Sequence, residues 1–475
     1  MCSSDLVTMY RKEIEGFIDS HRDEMIEDIC TLCRINSEKM PYVEGKPYGE
    51  GPFQALQAAL NMAEGYGFTI RNYDNYVGTA DLNDKERQLD ILAHLDVVPA
   101  GEGWTETKPF EPVVKDGKLF GRGTADDKGP AVAALYAMRA VKELGIPLNK
   151  NVRLILGTDE ECGSSDIVNY YDKEDEAPMT FSPDAEFPVI NIEKGRLEGH
   201  FHASFQASEA MPRLVKAEAG IKANVVPGKA RAVVEGVDLK TLEAAAEAVE
   251  KETGISFVLE GDLPVMTVTA QGEGAHASTP QEGKNALTGL LVYLTRLPLA
   301  ECPQMNMVKN LLKLFPHGDT CGKAAGISME DQLSGNLTLA FSMLTVGADG
   351  LEGVFDSRCP ICATEESVLG VIKQAMADHG LTLENDFMIP PHHVDGNSHF
   401  VKTLLSVYED YTGLEGSCQA TGGGTYVHSL KNGVAYGAAL PGTDNRMHGA
   451  DEFAVVDELV LSAKIFAQVI VELCS

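Results

Sequence analysis

The hydrophobic pattern of this chain changes character near Gly195 and changes back after "MIPPHHVDGNS", and no single-core fold accommodates both textures. In the first stretch, "EIEGFIDSHRDEMIEDICTLCRI" and "GPFQALQAALNMAEGYG" read as helices and "LDILAHLDVV" as a buried strand. "PAVAALYAMRAVKELG" is a further helix, with Pro130 in its first turn and Gly145 after its last. The strand "NVRLILG", then "MTFSPD" and the short strand "FPVINIE", complete a strand–helix alternation. That alternation predicts an α/β fold with a mainly parallel sheet and helices on both faces. From Gly195, "RLEGHFHASF", "ARAVVEGV", "ISFVLEG", "PVMTVTAQG" and "LTLAFSMLTVG" look like antiparallel strands. The helices "DLKTLEAAAEAVEKETG", "KNALTGLLVYLTRL" and "EESVLGVIKQAMADHG" lie among or after them, which predicts an α+β domain with helices on one face. The first texture then resumes with helix "HFVKTLLSVYEDYTG", a strand near "GVAYGAALPG" and the closing helix "ADEFAVVDELVLSAKIFAQVIVELC". The expected organisation is therefore a first domain split over 1–194 and 396–475, with a second domain, 195–395, inserted in it.

Charge narrows the function classes. The 475 residues carry 71 acids against 39 bases, a net charge of −32, which disfavours nucleic acid and anionic membranes as partners. No stretch approaches the roughly 18 apolar residues that a membrane span needs. The N-terminus has no uninterrupted apolar core of the kind an export signal requires. The expectation is a cytoplasmic chain whose ten cysteines are reduced thiols. The CxxC pairs Cys30/Cys33 and Cys359/Cys362 read as buried apolar thiols rather than as a zinc ribbon.

Five short stretches carry chemistry. In "LAHLDVV", His94 and Asp96 lie two apart on a strand and emerge on one face, as a metal ligand with its neighbour or as a structural pair. In "GRGTADDKGP", Asp126 and Asp127 enter a helix, where capping would need only one of them. An acidic pair would repel phosphate, and no phosphate-loop motif is present. "GTDEECGSSD" places Asp159, Glu160 and Glu161 in a row directly after a buried strand. "FSPDAEFP" holds Asp184, and "PGTDNRMHGADE" holds His448 in a polar turn. Singly, each reads as a cap, a solvated acid or a surface histidine. Together, His94, Asp126, Glu161, Asp184 and His448 form a nitrogen-and-oxygen set suited to divalent metals such as Zn²⁺. Three carboxylates against two divalent ions and a hydroxide come close to neutral, which would relieve the repulsion among adjacent acids.

With "HLDVVPAG", "GRGTADDKGP", "DEECGSSD", "SPDAEFPV", "GAHASTP", "GGGTY" and the late His448, the chain resembles the co-catalytic di-zinc amidohydrolases from about residue 10 to its end. That family includes aminoacylases, carboxypeptidase G and succinyl-diaminopimelate desuccinylase, and the likeness is greatest to peptidase V-type (Xaa-His, carnosinase-like) dipeptidases. The resemblance implies two divalent ions, zinc first, with Mn²⁺ or Co²⁺ as alternatives. It assigns His94 and Asp184 to one metal, Glu161 and His448 to the other, and Asp126 to both. Asp96 would orient His94, and Glu160 would be the general base acting on a water between the metals. Asp127 is left to support the turn or cap the helix, and Asp159 has no assigned role. In the inserted domain, a lid in such enzymes, His276 matches the oxyanion-stabilising histidine. Asn224 and Arg358 match residues holding the peptide and its carboxylate, and Gly422, Gly423, Gly424 and Thr425 would let backbone approach the substrate.

Val427-His428 stand where such enzymes commonly have Ala-Arg. His392, His393 and His399 imitate a metal cluster but match no ligand of the family, and His200 and His202 read as surface histidines. The implied function is a dipeptidase acting on peptides with a free N-terminus, broad or Xaa-His/β-Ala-His in preference, and working as a monomer. The alternatives are an N-acyl-amino-acid deacylase and a peptide-binding relative without catalysis.

Overall fold

A computed structural model describes residues 3–475, so Cys2, one of the ten thiols, lies outside the described residues. The chain divides into two compact units. One comprises the residues up to Ile192 with His393–Gln419 and Gly424–Ser475, and the other comprises Glu193–His392 with Ala420–Gly423.

The first unit is built on a mixed sheet whose strands run, in spatial order, Thr69–Tyr73, Val77–Asp81, Asn151–Gly157, Arg87–His94, Met179–Ser182, Gly433–Ala435 and Val189–Glu193. The four strands from Asn151–Gly157 to Gly433–Ala435 are mutually parallel, and those at either edge pair antiparallel. Strands buried on both faces need apolar residues at odd and even positions alike. On Arg87–His94, Leu89, Ile91 and Ala93 join one core, while Leu92 faces a second with Ile155, Tyr170 and Tyr426. The first core is closed by helices Lys128–Glu143 and Val456–Cys474, which pack on each other and are buried along most of their lengths. His94 projects on the Leu92 side, opposite Gly157 of the neighbouring strand, so the sheet's carboxyl edge opens into loops there.

Two helices are bounded differently from the sequence reading, and strands Thr69–Tyr73 and Val77–Asp81 and helix Ser165–Tyr171 were not part of it. The N-terminal helix is two helices, Ser3–Ser20 and Arg22–Cys33. At the break the Ser20 hydroxyl and the His21 ring both bind the Phe17 carbonyl, side-chain bonds that compete with the helical ladder. The closing helix starts only at Val456, because Phe453–Val455 pairs as a strand with Lys118–Phe120.

The second unit carries an eight-stranded sheet in the order Ser256–Asp262, Val265–Gln271, Lys229–Glu235, Arg213–Ala219, Thr338–Val346, Gly350–Cys359, Gly195–Ser204 and Thr382–Leu383. All of its pairings are antiparallel. Helices Leu239–Thr253, Ala286–Arg296 and Pro303–Leu314 share its core. Three of the longer elements escaped the sequence reading: strands Arg213–Ala219 and Gly350–Cys359, and helix Pro303–Leu314. Gly350–Cys359 has a physical reason to look unlike a strand, since two glycines and two acids interrupt it. Gly353 sits opposite Phe201, and Phe355 opposite Gly199. An added Cβ would meet the facing ring at 2.3 Å at Gly353 and 2.1 Å at Gly199, so each glycine makes room for an aromatic across the ladder. In "EESVLGVIKQAMADHG" the first turn, Glu366–Gly370, is the wider π form, and the regular helix is Val371–Asp378.

Candidate metal centre

Loops leaving the carboxyl ends of the parallel strands gather the acidic motifs of the first unit, where open α/β sheets bind ligands. His94 ends its own strand, and Glu160 and Glu161 lie in a single 3₁₀ turn after Asn151–Gly157. Asp184 follows Met179–Ser182, Asp126 precedes helix Lys128–Glu143, and His448 sits in a loop with φ of +63°. The His94 Nε2 atom is 2.9 Å from Asp126 Oδ1 and 3.6 Å from Asp184 Oδ2. On the other side His448 Nε2 is 3.0 Å from Asp126 Oδ2 and 3.4 Å from Glu161 Oε1. Asp126 thus presents one oxygen to each histidine. Two groupings of ligand atoms close enough to hold an ion stand out among the described residues: His94, Asp126 and Glu161, and His94, Glu160 and Asp184. His94 and Asp126 are buried, while His448 is exposed on the rim.

The surrounding polar groups explain how adjacent acids are held apart. The Asp96 carboxylate accepts the backbone N–H of Glu160 on one oxygen and that of Glu161 on the other, both at 3.1 Å. It therefore fixes the turn that carries both glutamates. The His94 Nδ1 atom lies nearer the Asp96 backbone carbonyl, at 3.0 Å, than its carboxylate, at 3.4 Å. Asp127 makes no side-chain cap to the helix it precedes; instead its Oδ2 accepts the His94 N–H at 3.0 Å. Asp159 faces away from the ligand cluster. Its Oδ2 accepts the Ser165 N–H and hydroxyl, and its Oδ1 accepts Lys39 at 2.6 Å.

Electrostatics give the cluster a need for cations. Burial, opposed by His94 but reinforced by Glu161, Asp126 and Asp96, pushes the Glu160 carboxyl up to about 8. Burial and then the Asp126 charge raise Asp184 well above the usual carboxylate range. Asp126 goes the other way, because its bonds to His448 and His94 outweigh its burial. The buried His94 Nε2 and Glu161 Oε1 have no hydrogen-bond partner of good geometry despite their short contacts. Orphaned buried donors and acceptors are rare in folded proteins, and here both residues belong to one ligand grouping. Imidazole nitrogen with carboxylate oxygens is a donor set that suits Zn²⁺ and also Mn²⁺ or Co²⁺, so the residues fit divalent ions.

Glu452 supports this centre and was not singled out from the sequence. Fully buried, it accepts the N–H groups of Gly123, Ala125 and Asp126 on one oxygen and Arg122 at 2.6 Å on the other. An acid directly before the apolar run in "HGADEFAVV" was its only local signal. Arg122 is itself buried, so Glu452→Ala would leave an unpaired guanidinium and three unsatisfied donors. The expected cost is about 3–5 kcal/mol of folding stability, read from denaturant unfolding of the metal-free protein.

The remaining candidates lie partly in the second unit. Asn224 and His276 sit on adjoining positions of a short strand pair, in which Val225 is opposite His276, and the His276 Nδ1 contacts the Ser278 hydroxyl at 2.6 Å. Arg358 is buried and forked onto Asp356 at 2.6 and 3.0 Å, and it also donates to the Gly422 carbonyl. Gly423 is exposed, and Thr425 begins the 3₁₀ turn Tyr426–Ser429 in the first unit. Val427 is buried in the core with Leu92, and Tyr426 donates to Asp166, which also accepts the Thr158 and Asp159 N–H groups. His392, His393 and His399 join neither ligand grouping. His200 and His202 are exposed and pair with Glu198 and Glu384. Cys30, Cys33 and Cys359 are buried free thiols, whereas Cys362, expected buried, is exposed because the chain turns out at Pro360 beyond the strand end. No helix among the described residues is long and apolar enough to cross a membrane.

Comparison with known proteins places this centre in context. The description "Peptidase family M20/M25/M40" matches residues 91–472. The Beta-Ala-Xaa dipeptidase of Lactobacillus delbrueckii subsp. lactis is 36% identical over 467 residues, covering 96% of this chain and 97% of that protein. Among solved structures, human carnosine dipeptidase 1 aligns with a TM-score of 0.58 at 15% identity, over 98% of both chains. The di-peptidase Dug1p from Saccharomyces cerevisiae aligns with a TM-score of 0.58 at 14% identity, over 97% of this chain and 98% of that one. These two likenesses concern the fold.

Proposed function

The chain belongs to peptidase family M20/M25/M40, a family of hydrolases, and from that premise we propose that it is a two-metal dipeptidase acting on peptides with a free N-terminus. The observation that carries this reading is the convergence of His94, Asp126, Glu160, Glu161 and Asp184 ligand atoms at the carboxyl edge of the parallel sheet. His94 and Asp184 would hold one divalent ion, Glu161 and His448 the other, and Asp126 both. When bound, such ions polarise the scissile carbonyl and make water acidic enough to attack near neutral pH.

The protein's own residues do the rest. Glu160 takes a proton from the attacking water and delivers it to the departing amine, so one carboxyl serves as base and then acid. Its backbone N–H is tied to Asp96, which holds the turn in place while the carboxyl carries the proton. On the family resemblance, His276 donates to the developing oxyanion, while Asn224, Arg358, Gly423 and Thr425 hold the peptide and its carboxylate. Arg358 already spends three of its five N–H groups on Asp356 and the Gly422 carbonyl, so one on each terminal nitrogen is left for a substrate. The relative acting on β-Ala-Xaa peptides supports dipeptides, including those that begin with a β-amino acid, as substrates.

The test is a substrate panel on zinc-, manganese- and cobalt-loaded protein: α-dipeptides, β-Ala-Xaa and Xaa-His dipeptides, tripeptides, and N-acetyl and N-succinyl amino acids. A free amino terminus is expected to raise kcat/KM by about 10²-fold or more over the acylated compounds, because a site built to bind a charged group discriminates strongly against its absence. Faster cleavage of the N-acyl amino acids would replace this reading with a deacylase.

A further inference from the structure

Between the helix Arg22–Cys33 and the helix Glu50–Gly65, the chain passes three of the ligand-bearing loops in turn. Lys128, two residues past Asp126, is fully buried and donates to the carbonyls of Leu32 at 3.1 Å and Ile35 at 2.8 Å. Ser37, also fully buried, gives its hydroxyl to the Leu95 carbonyl at 2.6 Å and its carbonyl to the Val97 N–H, so it grips both sides of Asp96. Glu38 accepts the Ala100 N–H at 2.9 Å. Lys39 then reaches the Glu160–Glu161 turn, donating to Asp159 Oδ1 at 2.6 Å and to the Cys162 carbonyl at 3.4 Å. The next helix seats against this segment at Gly51, where a Cβ would lie 1.9 Å from the Asn36 carbonyl oxygen. A few consecutive residues thus touch the His94–Asp96 loop, the Asp126 turn and the Glu160–Glu161 turn.

Resting on the two-metal reading above, we infer that residues 35–39 form a strap that sets the spacing of the three ligand loops. Within it, Lys39 and Asp159 act as the positioning pair for Glu160 and Glu161. A dinuclear centre needs its ligands held within about half an ångström of the productive geometry, and groups behind the ligands supply that precision. Asp159 is suited to the task. Its side chain is wholly buried, its two oxygens are split between the turn's exit at Ser165 and the strap at Lys39, and it joins neither ligand grouping. The Lys39 side chain is 37% exposed but Asp159 is wholly buried, so losing the lysine alone leaves a buried carboxylate held only by Ser165, a stability cost that replacing both residues removes. What that loss removes is the counter-charge on a buried oxygen one residue before the base. The third acid of the run thereby has a use distinct from those of its neighbours.

The test titrates Co²⁺ into metal-stripped wild-type, Lys39→Met, Lys39→Arg, Asp159→Asn and Lys39→Met/Asp159→Asn proteins, following the visible spectrum, and melts each metal-free protein. Lys39→Met is expected to weaken one of the two Co²⁺ sites by about 10–100-fold, with an altered spectrum, and Lys39→Met/Asp159→Asn, which leaves no buried charge unpaired, does the same while its metal-free melting temperature stays within about 2 °C of wild type. On the best dipeptide of the panel, kcat falls in parallel and KM moves by less than about threefold. Lys39→Arg restores binding and spectrum, and the double variant is no worse than the worse single one, as residues acting as a unit require. Wild-type Co²⁺ affinities and spectrum in Lys39→Met would overturn the inference. So would equal weakening of both sites together with a lower metal-free melting temperature in the double variant. Co²⁺ binding is read without substrate, so if no dipeptide is cleaved the strap still stands or falls on its own.

Discussion

Glu160→Ala is expected to lower kcat for dipeptide hydrolysis by about 10³-fold while the protein still takes up two divalent ions. General acid–base groups contribute roughly 10²–10⁴-fold, and here one carboxyl would serve both proton transfers, which places the loss in the upper part of that range. Three features keep the experiment interpretable. The turn is anchored through the Glu160 and Glu161 backbone N–H groups on Asp96, bonds that an alanine retains. His94, Asp126, Glu161, Asp184 and His448 remain to hold the ions. The wild-type carboxyl is pushed up to about 8 chiefly by burial, so its removal takes away a group of high proton affinity rather than a stabilising ion pair. Steady-state kinetics with metal analysis is the check. Hydrolysis within about threefold of wild type at full metal content would remove Glu160 from the mechanism.

Stripping the ions with a chelator is expected to take turnover below about 1% of the loaded protein and to lower its melting temperature. The sign follows from the charges. Asp126, Glu160, Glu161 and Asp184 crowd one pocket with only two histidines to oppose them, and burial together with the neighbouring acid charges raises three of these four acids. Divalent ions relieve that cost. Bound at about a thousand times their dissociation constant, they stabilise the folded state by about 4 kcal/mol per site. Adding back Zn²⁺, Mn²⁺ or Co²⁺ restores activity, and the rank order among them identifies the preferred metal. Full activity in the stripped protein would mean that the cluster is not the catalytic centre.

How far the sequence could be read depended on how local the controlling contacts are. The parallel core announces itself through Leu89, Ile91 and Ala93 on one side of a strand and Leu92 on the other, because burial on both faces leaves an uninterrupted apolar run. Each acid of the centre belongs to a short motif, so the set was visible before its convergence. The groups behind it were not. Asp159 finds Lys39 across 120 positions, and Glu452 finds the Asp126 N–H across 326, distances over which no periodicity carries information. Asp127 looked like a cap because it begins a helix, yet its carboxylate turns back to the His94 backbone. Gly350–Cys359 was missed for a related reason, since its glycines make sense only against rings on the facing strand. The break at Ser20, by contrast, rests on local bonds to the Phe17 carbonyl that helical periodicity masks.

The most direct test of the central claim is anomalous diffraction from a crystal of the zinc-loaded protein. The account predicts two peaks per chain, one against His94 and Asp184 and the other against Glu161 and His448, with Asp126 touching both. A single peak, or two that do not share Asp126, would contradict it.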